Sequence, residues 1–216
     1  MPNHITNKLD APKEVLASLL NAEGKIDFNT LIPFLGKFDW CGIDGLAETC
    51  AEAITGTPLN DHPLVASLQH DSRSRASISG CSDEQFEQFV QMLRNKRATG
   101  HFHTLDFARD KWGTKWNAYS QLVDLDQGAF QFDTAWSCPE PVIKALSGLH
   151  PEAEITLRFA DEDIGSNCGT LIFKAGEIIK SDVAPSWNQM SQAERDKWKA
   201  FALDLTGRTA DDEDDE

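Results

Sequence analysis

The stretch KWGTKWNAYS, residues 111–120, combines large aromatic rings and cationic side chains at short spacing. Its candidate binding residues are Lys111, Trp112, Lys115, Trp116, Asn117 and Tyr119. Stacking of bases on aromatic rings, together with cationic contacts to the backbone, is how many proteins hold single-stranded nucleic acids. Large aromatic side chains also bury much apolar surface, which makes them common in packed corners. The stretch therefore predicts a packed corner whose lysines reach solvent, with a binding surface as the alternative.

The spacing within this stretch permits two local structures. Trp112, Trp116 and Tyr119 lie at positions i, i+4 and i+7, and these positions share one face of a helix. Gly113 and Asn117 instead favour a turn into the strand that follows. Either structure fits a corner packed on a sheet.

A second candidate binding segment is the acidic run Asp161, Glu162 and Asp163, at the end of a predicted strand and before Gly165. Clustered carboxylates can bind Mg²⁺ or Ca²⁺, and they can divide acid and base roles when their environments differ. A solvated hairpin tip explains the same residues without a ligand, and this is the favoured interpretation. Contact with a binding partner is the functional hypothesis for the segment.

Residues that could support catalysis or hold a metal give weak signals. His101 and His103 would share one face of a strand, and Asp106 could supply a third metal ligand, but this spacing is common in proteins without metals. Cys138 comes just before a predicted helix start, where a thiol pKa can be lowered, yet no partner histidine can be named. No phosphate-binding loop, GxSxG, HExxH or zinc-finger spacing occurs. We therefore assign no catalytic residue, metal ligand or cofactor.

The charge of the chain limits its partners. Acidic residues outnumber basic ones 35 to 20, giving a net charge of −15, and the run DDEDDE at 211–216 holds six of the negative charges. A block of like charges repels itself, so residues 207–216 are predicted to form a disordered acidic tail. The remaining chain is acidic as well, which predicts poor non-specific affinity for nucleic acid and favours a partner with a basic surface.

The five cysteines and the hydropathy pattern indicate the compartment. The cysteines are widely spaced and form no CxxC pair, which predicts free thiols rather than a disulfide framework. No apolar run approaches the roughly 20 residues that span a bilayer, and the N-terminus has no signal-peptide pattern. The sequence therefore predicts a cytoplasmic protein that does not contact membranes.

Hydrophobic periodicity predicts six core elements in the order β-α-β-β-α-β. They are a strand at 4–9, a helix from Pro12 towards Gly24, a hairpin of residues 119–126 and 130–136, a helix from Pro139 and a strand at 154–160. This order is the split βαβ arrangement of ferredoxin-like folds, an antiparallel sheet with two helices on one face. The fold class is therefore predicted to be α+β.

The remaining segments are predicted to decorate this core. An insertion at about 41–110 contains a helix at 44–55, a polar, turn-rich surface excursion at 57–80 and a helix that begins with the Ser82–Gln85 capping box. Further strand segments fall within 169–180, and a second capping box begins a C-terminal helix that ends at Gly207. We predict a single domain over residues 1–206.

Several segments together resemble the YubB-like proteins of phages, plasmids and related bacteria. They are MPNHITNKL, IDFNTLIP, KWGTKWNAYS, FDTAWSCPEPVIKALS and FADEDIGSNCG. The resemblance touches most of residues 1–180 and implies a ferredoxin-like domain and a gene carried on mobile elements. It implies no catalytic residue.

The leading functional hypothesis is a non-enzymatic interaction protein of a mobile element. It would bind and inhibit a host or defence-system protein in the host cytoplasm through an acidic surface that mimics nucleic acid. The first alternative is an RNA- or single-strand nucleic-acid-binding module that uses the open face of the sheet and the stretch from Lys111 to Tyr119. The second alternative is a metal-dependent hydrolase built from the histidines or the acidic segment.

Overall fold

The computed structural model describes residues 3–209 of the 216-residue chain. The acidic run at 211–216, predicted to be disordered, lies outside these residues. The chain divides into two compact units. Among the described residues, the sheet unit comprises 3–33 and 108–209, and the helical unit comprises 34–107. The prediction of one domain with an insertion at about 41–110 stays a prediction.

The six predicted core elements occur in the predicted order, and further helices and strands are added to them. The strands are β1 (His4–Asp10), β2 (Tyr119–Asp124), β3 (Ala129–Ala135), β4 (Ile155–Asp161), β5 (Gly169–Lys174) and β6 (Glu177–Val183). The helices are α1 (Lys13–Ala17), α2 (Gly45–Thr55), α3 (Pro63–Arg75), α4 (Asp83–Thr99), α5 (Thr104–Phe107), α6 (Glu140–Leu149) and α7 (Gln192–Thr206). A π-helical turn covers Ala108–Trp112, and short 3₁₀ turns lie at 28–30, 78–80 and 187–189.

The sheet unit is ferredoxin-like, as predicted. Its six strands are ordered β2-β3-β1-β4-β5-β6, and every neighbouring pair is antiparallel. The first four strands with α1 and α6 form the β-α-β-β-α-β core, in which β1 lies between β3 and β4. The hairpin of β5 and β6 extends the sheet beyond β4, giving an α+β fold with an enlarged sheet.

Strand alternation produces the core on one face of the sheet. Ile5 and Leu9 of β1 are fully buried. Phe130 and Phe132 of β3 lie on the same face of the sheet. Buried side chains of α1 and α6 complete this layer. They include Leu16 of α1 and Val142, Ile143 and Leu146 of α6. Each buried apolar side chain contributes roughly 1.5–3 kcal/mol to the free energy of folding. A one-residue shift would turn these side chains to the other face of the sheet, so this face determines the strand register.

The opposite face of the sheet is partly covered by α7. Trp198, Ala202 and Leu205 of α7 pack with Ala160 and Cys168. Further along this face lies a shallow groove of about 260 Å³. Its lining residues include Lys8, Leu122, Gln131 and Arg158. This uncovered part is called the open face below.

The helical unit forms around α2 and α4. Cys50 of α2 and Phe89 and Met92 of α4 are buried together. Asp44 caps α2 by accepting hydrogen bonds from two backbone N–H groups, and the predicted Ser82–Gln85 capping box begins α4. Both caps satisfy N–H groups that a helix end otherwise leaves unpaired.

Two helical segments differ from the sequence prediction. The polar excursion at 57–80 contains the regular helix α3, none of whose residues is buried, so it lacks the apolar stripe that would have revealed it. The helix predicted from Pro12 towards Gly24 ends at Ala17, because Leu20 pairs with Ile26 in an isolated β-bridge. Within residues 3–209, no helix is long and apolar enough to cross a membrane.

Candidate functional site

The structure places Trp112 in the core of the sheet unit. Its side chain is 5% exposed, its Nε1 donates a hydrogen bond to the Ile32 carbonyl at 2.9 Å, and its ring meets Phe28 edge-on at 5.7 Å. Lys111 lies at the surface, 2.9 Å from a carboxylate oxygen of Asp110. These two residues therefore fit the packed corner with a solvated lysine.

A turn separates Trp112 from the rest of the stretch. The π-helical turn ends at Trp112, and Gly113 has a φ of 73°. A Cβ at Gly113 would lie 2.9 Å from a Pro141 ring atom, so both the left-handed conformation and the close approach require glycine. Trp112 and Trp116 consequently do not share a helical face, and the turn is the alternative that the structure shows.

Trp116 is 41% exposed and belongs to a surface cluster of aromatic and cationic side chains. The Lys115 ammonium lies 4.8 Å from the Trp116 ring centroid and 4.8 Å from that of Trp136. The Arg109 guanidinium lies 5.2 Å from the Trp136 ring. These distances allow cation–π attraction, which orients the rings while leaving them accessible. Arg109, Lys115, Trp116 and Trp136 are called the tryptophan cluster.

Trp136 has an unusual backbone conformation. It was predicted to continue the alternation of β3, but the strand ends at Ala135, and Trp136 is 46% exposed with a φ of 74°. A bulky residue rarely occupies this region, and the strain costs on the order of 1–3 kcal/mol. Its N–H donates to the Asn3 carbonyl at 2.9 Å, and its carbonyl accepts from Asn167 Nδ2 at 3.2 Å. Both backbone groups are therefore held in place.

The loop that carries Lys115 is fixed to the end of β3. Thr114 Oγ1 accepts a hydrogen bond from Ala135 N–H at 3.1 Å and donates to the Ala135 carbonyl at 2.9 Å. The Lys115 N–H donates to the same carbonyl, and Ser137 Oγ donates to the Gly113 carbonyl. The cluster is thus built on two backbone segments that hydrogen bonds hold together.

Asn117 and Tyr119 support the fold around the cluster. Asn117 Oδ1 accepts from Phe28 N–H at 2.9 Å, and its Nδ2 donates to Asp27 at 2.7 Å. Burial favours a higher pKa for Asp27, but the hydrogen bonds from Asn117 and Asn29 outweigh it and lower the pKa. The Tyr119 hydroxyl lies 2.7 Å from His4 Nδ1. Burial, assisted by Asp133 and Glu162, raises the pKa of Tyr119 to about 12, so the phenol is neutral.

The acidic segment contains one buried carboxylate and two exposed ones. Asp161 Oδ1 accepts hydrogen bonds from Asn3 Nδ2 and from Asp163 N–H, each at 3.0 Å, and Oδ2 accepts from Asn167 Nδ2 at 2.8 Å. Asp161 therefore organises the loop, whereas Glu162 and Asp163 face solvent. Among residues 3–209, no group of histidine, cysteine and acidic side chains is arranged to hold a metal ion.

The structure brings the two predicted binding segments to one end of the sheet. Asn167 donates to both the Trp136 carbonyl and Asp161, and Asn3 contacts the same two residues. Sequence reasoning missed Arg109, Trp136 and these two asparagines. The φ of 42° at Asn167 suits the tolerance of asparagine for left-handed backbone, and the sequence SNCG is the signal for such a turn.

A groove of about 490 Å³ adjoins the acidic segment. Its lining residues are Asn3, Glu162, Asp163, Ile164, Trp187, Lys199 and Arg208. Trp187 is 44% exposed, and the Arg195 guanidinium lies 4.7 Å from its ring. Because Asn3 lines the groove and also contacts Trp136, the surface with exposed tryptophans continues from the cluster into the groove.

The surroundings of His103 and Cys138 do not favour the metal site and the reactive thiol that were considered for them. Residues 101–103 do not form a strand, and His103 is buried with its Nε2 3.0 Å from Glu48 Oε1 and its Nδ1 accepting from Asp106 N–H at 3.2 Å. Both ring nitrogens of His103 thus already have protein partners. Burial, with Glu140 as a further cause, raises the pKa of Cys138 to about 12, which corrects the hypothesis of a reactive thiol at this helix start.

Comparison with known proteins found similarity to a ferredoxin-like domain. No curated protein matches the chain. The crystal structure of a protein api92 from Yersinia pseudotuberculosis aligns with a TM-score of 0.39 at 8% sequence identity, covering 86% of this chain and 99% of that one. Residues 111–201 match the family model described as the ferredoxin-like domain in Api92-like protein, and they are therefore similar to that domain in fold.

Proposed function

We propose that the chain is a non-enzymatic interaction protein that binds a partner protein through the tryptophan cluster and the neighbouring Glu162 and Asp163. The observation that carries this proposal is Trp136, an exposed tryptophan held at a φ of 74°. Strained, over-determined residues concentrate at functional sites. Tryptophan and arginine are also the residue types that dominate binding energy at interfaces.

The charges around the cluster define the partner. Glu162 and Asp163 are exposed, and the whole chain carries a net charge of −15, so a basic surface would be attracted to this end of the sheet. Arg109 and Lys115 lie within the cluster itself and need acceptor groups from the partner. The proposed partner therefore has a basic patch next to carbonyl or carboxylate groups that face the two cations.

The resemblance to YubB-like proteins of phages and plasmids supports a host or defence-system protein as this partner. In that setting the acidic surface would occupy a groove that otherwise binds nucleic acid, and binding would inhibit the partner.

The first test is capture of proteins from host lysate by the immobilised full chain, after nuclease treatment. Trp116→Ala and Trp136→Gly are compared with Leu149→Ala, a matched control that removes a 63% exposed side chain on α6. We expect a partner that the wild type and L149A retain, and that the two tryptophan variants bind at least about tenfold more weakly. Equal retention by all four proteins would contradict the proposed surface.

A second candidate function is single-strand nucleic-acid binding at the same cluster. The position of Lys115 between two exposed tryptophan rings favours it, because stacking and cationic contact are the two components of such binding. The candidate site keeps Lys115 and Trp116 of the predicted stretch and adds Trp136, without the open face.

Fluorescence separates the two candidate functions. Titration with oligothymidylate at low salt would quench tryptophan emission if bases stack on Trp116 or Trp136, and W116A would reduce the quenching. An unchanged emission spectrum would eliminate nucleic-acid binding while leaving the protein-partner proposal intact.

A further inference from the structure

Two of the five cysteines lie side by side in the helical unit. Cys50 of α2 is 3% exposed, and Cys81, which directly precedes the capping residue of α4, packs against the same buried cluster. The two thiols interact with each other, and Cys81 Sγ also lies 3.8 Å from the Ser77 carbonyl. The sequence prediction treated all five cysteines as isolated, because Cys50 and Cys81 are far apart along the chain.

The thiol pair can be reached from solvent. Cys81 is partly exposed, and a surface groove of about 340 Å³ is lined by Cys50, Ile54 and residues 76–79. A small-molecule oxidant can therefore contact this site without unfolding of the helical unit.

We propose that Cys50 and Cys81 form an intramolecular disulfide by exchange with a small-molecule disulfide such as oxidised glutathione. The Cys81 thiolate attacks one sulfur of the oxidant, which forms a mixed disulfide and releases one glutathione thiolate. Cys50 then gives up its proton and attacks the Cys81 sulfur, which releases the second glutathione. Two protein thiols are oxidised while one disulfide is reduced to two thiols.

The order of attack follows from the environments of the thiols. Burial raises the pKa of Cys50, and the neighbouring Cys81 raises it further, so Cys50 forms a thiolate less readily. Cys81 is the more exposed of the two. Cys81 therefore reacts first with the oxidant, and Cys50 resolves the mixed disulfide.

The disulfide would close a loop that contains α3. This helix has no buried residue, and Arg73 attaches it to α2 through Glu52 at 3.0 Å and to the Thr57 carbonyl. A covalent link from 50 to 81 restricts the open conformations of the enclosed segment. The redox state of the pair thus controls how easily α3 detaches from α2.

The first experiment maps disulfides in the full chain after incubation with oxidised glutathione. Peptide mass spectrometry without reductant should find Cys50 linked to Cys81, and reduced glutathione should reverse the link. Cys41→Ser, which removes an exposed thiol of the same unit, should leave the link intact. Cys81→Ser should abolish it, and Cys50→Ala should stop the reaction at glutathione on Cys81.

The second experiment measures hydrogen exchange of residues 63–75 in the reduced and the linked protein. We expect exchange to slow at least about tenfold in the linked form of both the wild type and C41S. A mixed disulfide that never resolves in the wild type, a link between Cys41 and either partner, or identical exchange in the two redox states would overturn the proposal.

Discussion

At the scale of single residues, Trp136 and Trp112 show how different environments give one residue type different roles. Trp112 is buried, and its indole N–H is paired, so it stabilises the core. Trp136 is 46% exposed at a positive φ, a backbone conformation that costs free energy for a bulky residue.

Substitutions at 136 can separate backbone strain from side-chain contacts. Both Trp136→Gly and Trp136→Ala lose the contacts with Lys115 and Arg109, but only glycine relaxes at a φ of 74°. We expect W136G to have a free energy of unfolding about 1 kcal/mol higher than that of W136A, measured by urea denaturation. The same pair of changes at exposed Trp116 serves as the control, where alanine should be at least as stable as glycine. An alanine variant as stable relative to the glycine variant at 136 as it is at 116 would show that no strain is stored at 136.

Removal of the charge of Asp161 should lower the stability of the protein far more than removal of the charge of Glu162. Its oxygens accept three hydrogen bonds, so Asp161→Asn points an amide N–H₂ at a donor and costs about 1–3 kcal/mol in unfolding free energy. The matched control Glu162→Gln changes an exposed carboxylate and should lie within about 0.5 kcal/mol of the wild type. Thermal unfolding measures both changes in stability, and near-ultraviolet circular dichroism reports the environments of the six tryptophans together. A neutral D161N would contradict the organising role of Asp161.

Tyr119 is the one tyrosine of the 216-residue sequence, so absorbance of the phenolate reports it alone. Its pKa is raised to about 12, chiefly by burial, against an ordinary value near 10. The raised pKa favours the protonated folded state, so this stabilisation is complete below pH 10 and is lost as pH rises towards 12. We expect a titration midpoint about two pH units higher in the native protein than in denaturant. Coincident midpoints would show that the phenol is solvated.

At the scale of elements, the helices differ in what holds them. α6 buries a full apolar stripe, and α4 combines a capping box with buried Phe89 and Met92. α3 buries nothing and relies on polar contacts, chiefly those of Arg73. A helix attached in this way should open at much lower free energy than its neighbours.

Removal of the Arg73 contacts should therefore loosen α3 selectively. Arg73→Met keeps an apolar stem but loses the ion pair with Glu52, and we expect amide exchange over 63–75 to accelerate about tenfold while that of α4 is unchanged. Arg75→Met is the matched control, because Arg75 is exposed and has a single backbone contact. Acceleration of equal size in both variants would mean that the ion pair does not anchor the helix.

At the scale of the whole molecule, net charge should govern how fast the proposed partner associates. The net charge of −15 attracts a basic surface over distances that salt screens. Once the partner is identified, we expect its association rate to fall about tenfold between about 50 mM and 500 mM salt, measured by stopped flow. The double change Glu162→Gln and Asp163→Asn should weaken this dependence more than the same change at Glu84 and Asp83, which begin α4. A rate unaffected by salt would argue against recognition of a basic surface.

The sequence alone determined the elements whose signals are local. Strand alternation around Leu9 and Phe132 predicted the ferredoxin-like order, because the period of apolar residues shows which face of an element is buried. The capping box at Ser82 and the glycine at 207 predicted the ends of two helices added to that core. Only the tertiary structure decided which tryptophan is exposed, that Asn3 and Asn167 bring residues 136 and 161 together, and that α3 is helical without a buried face. Burial of a loop residue depends on segments far away in the chain, and no short-range pattern carries that information.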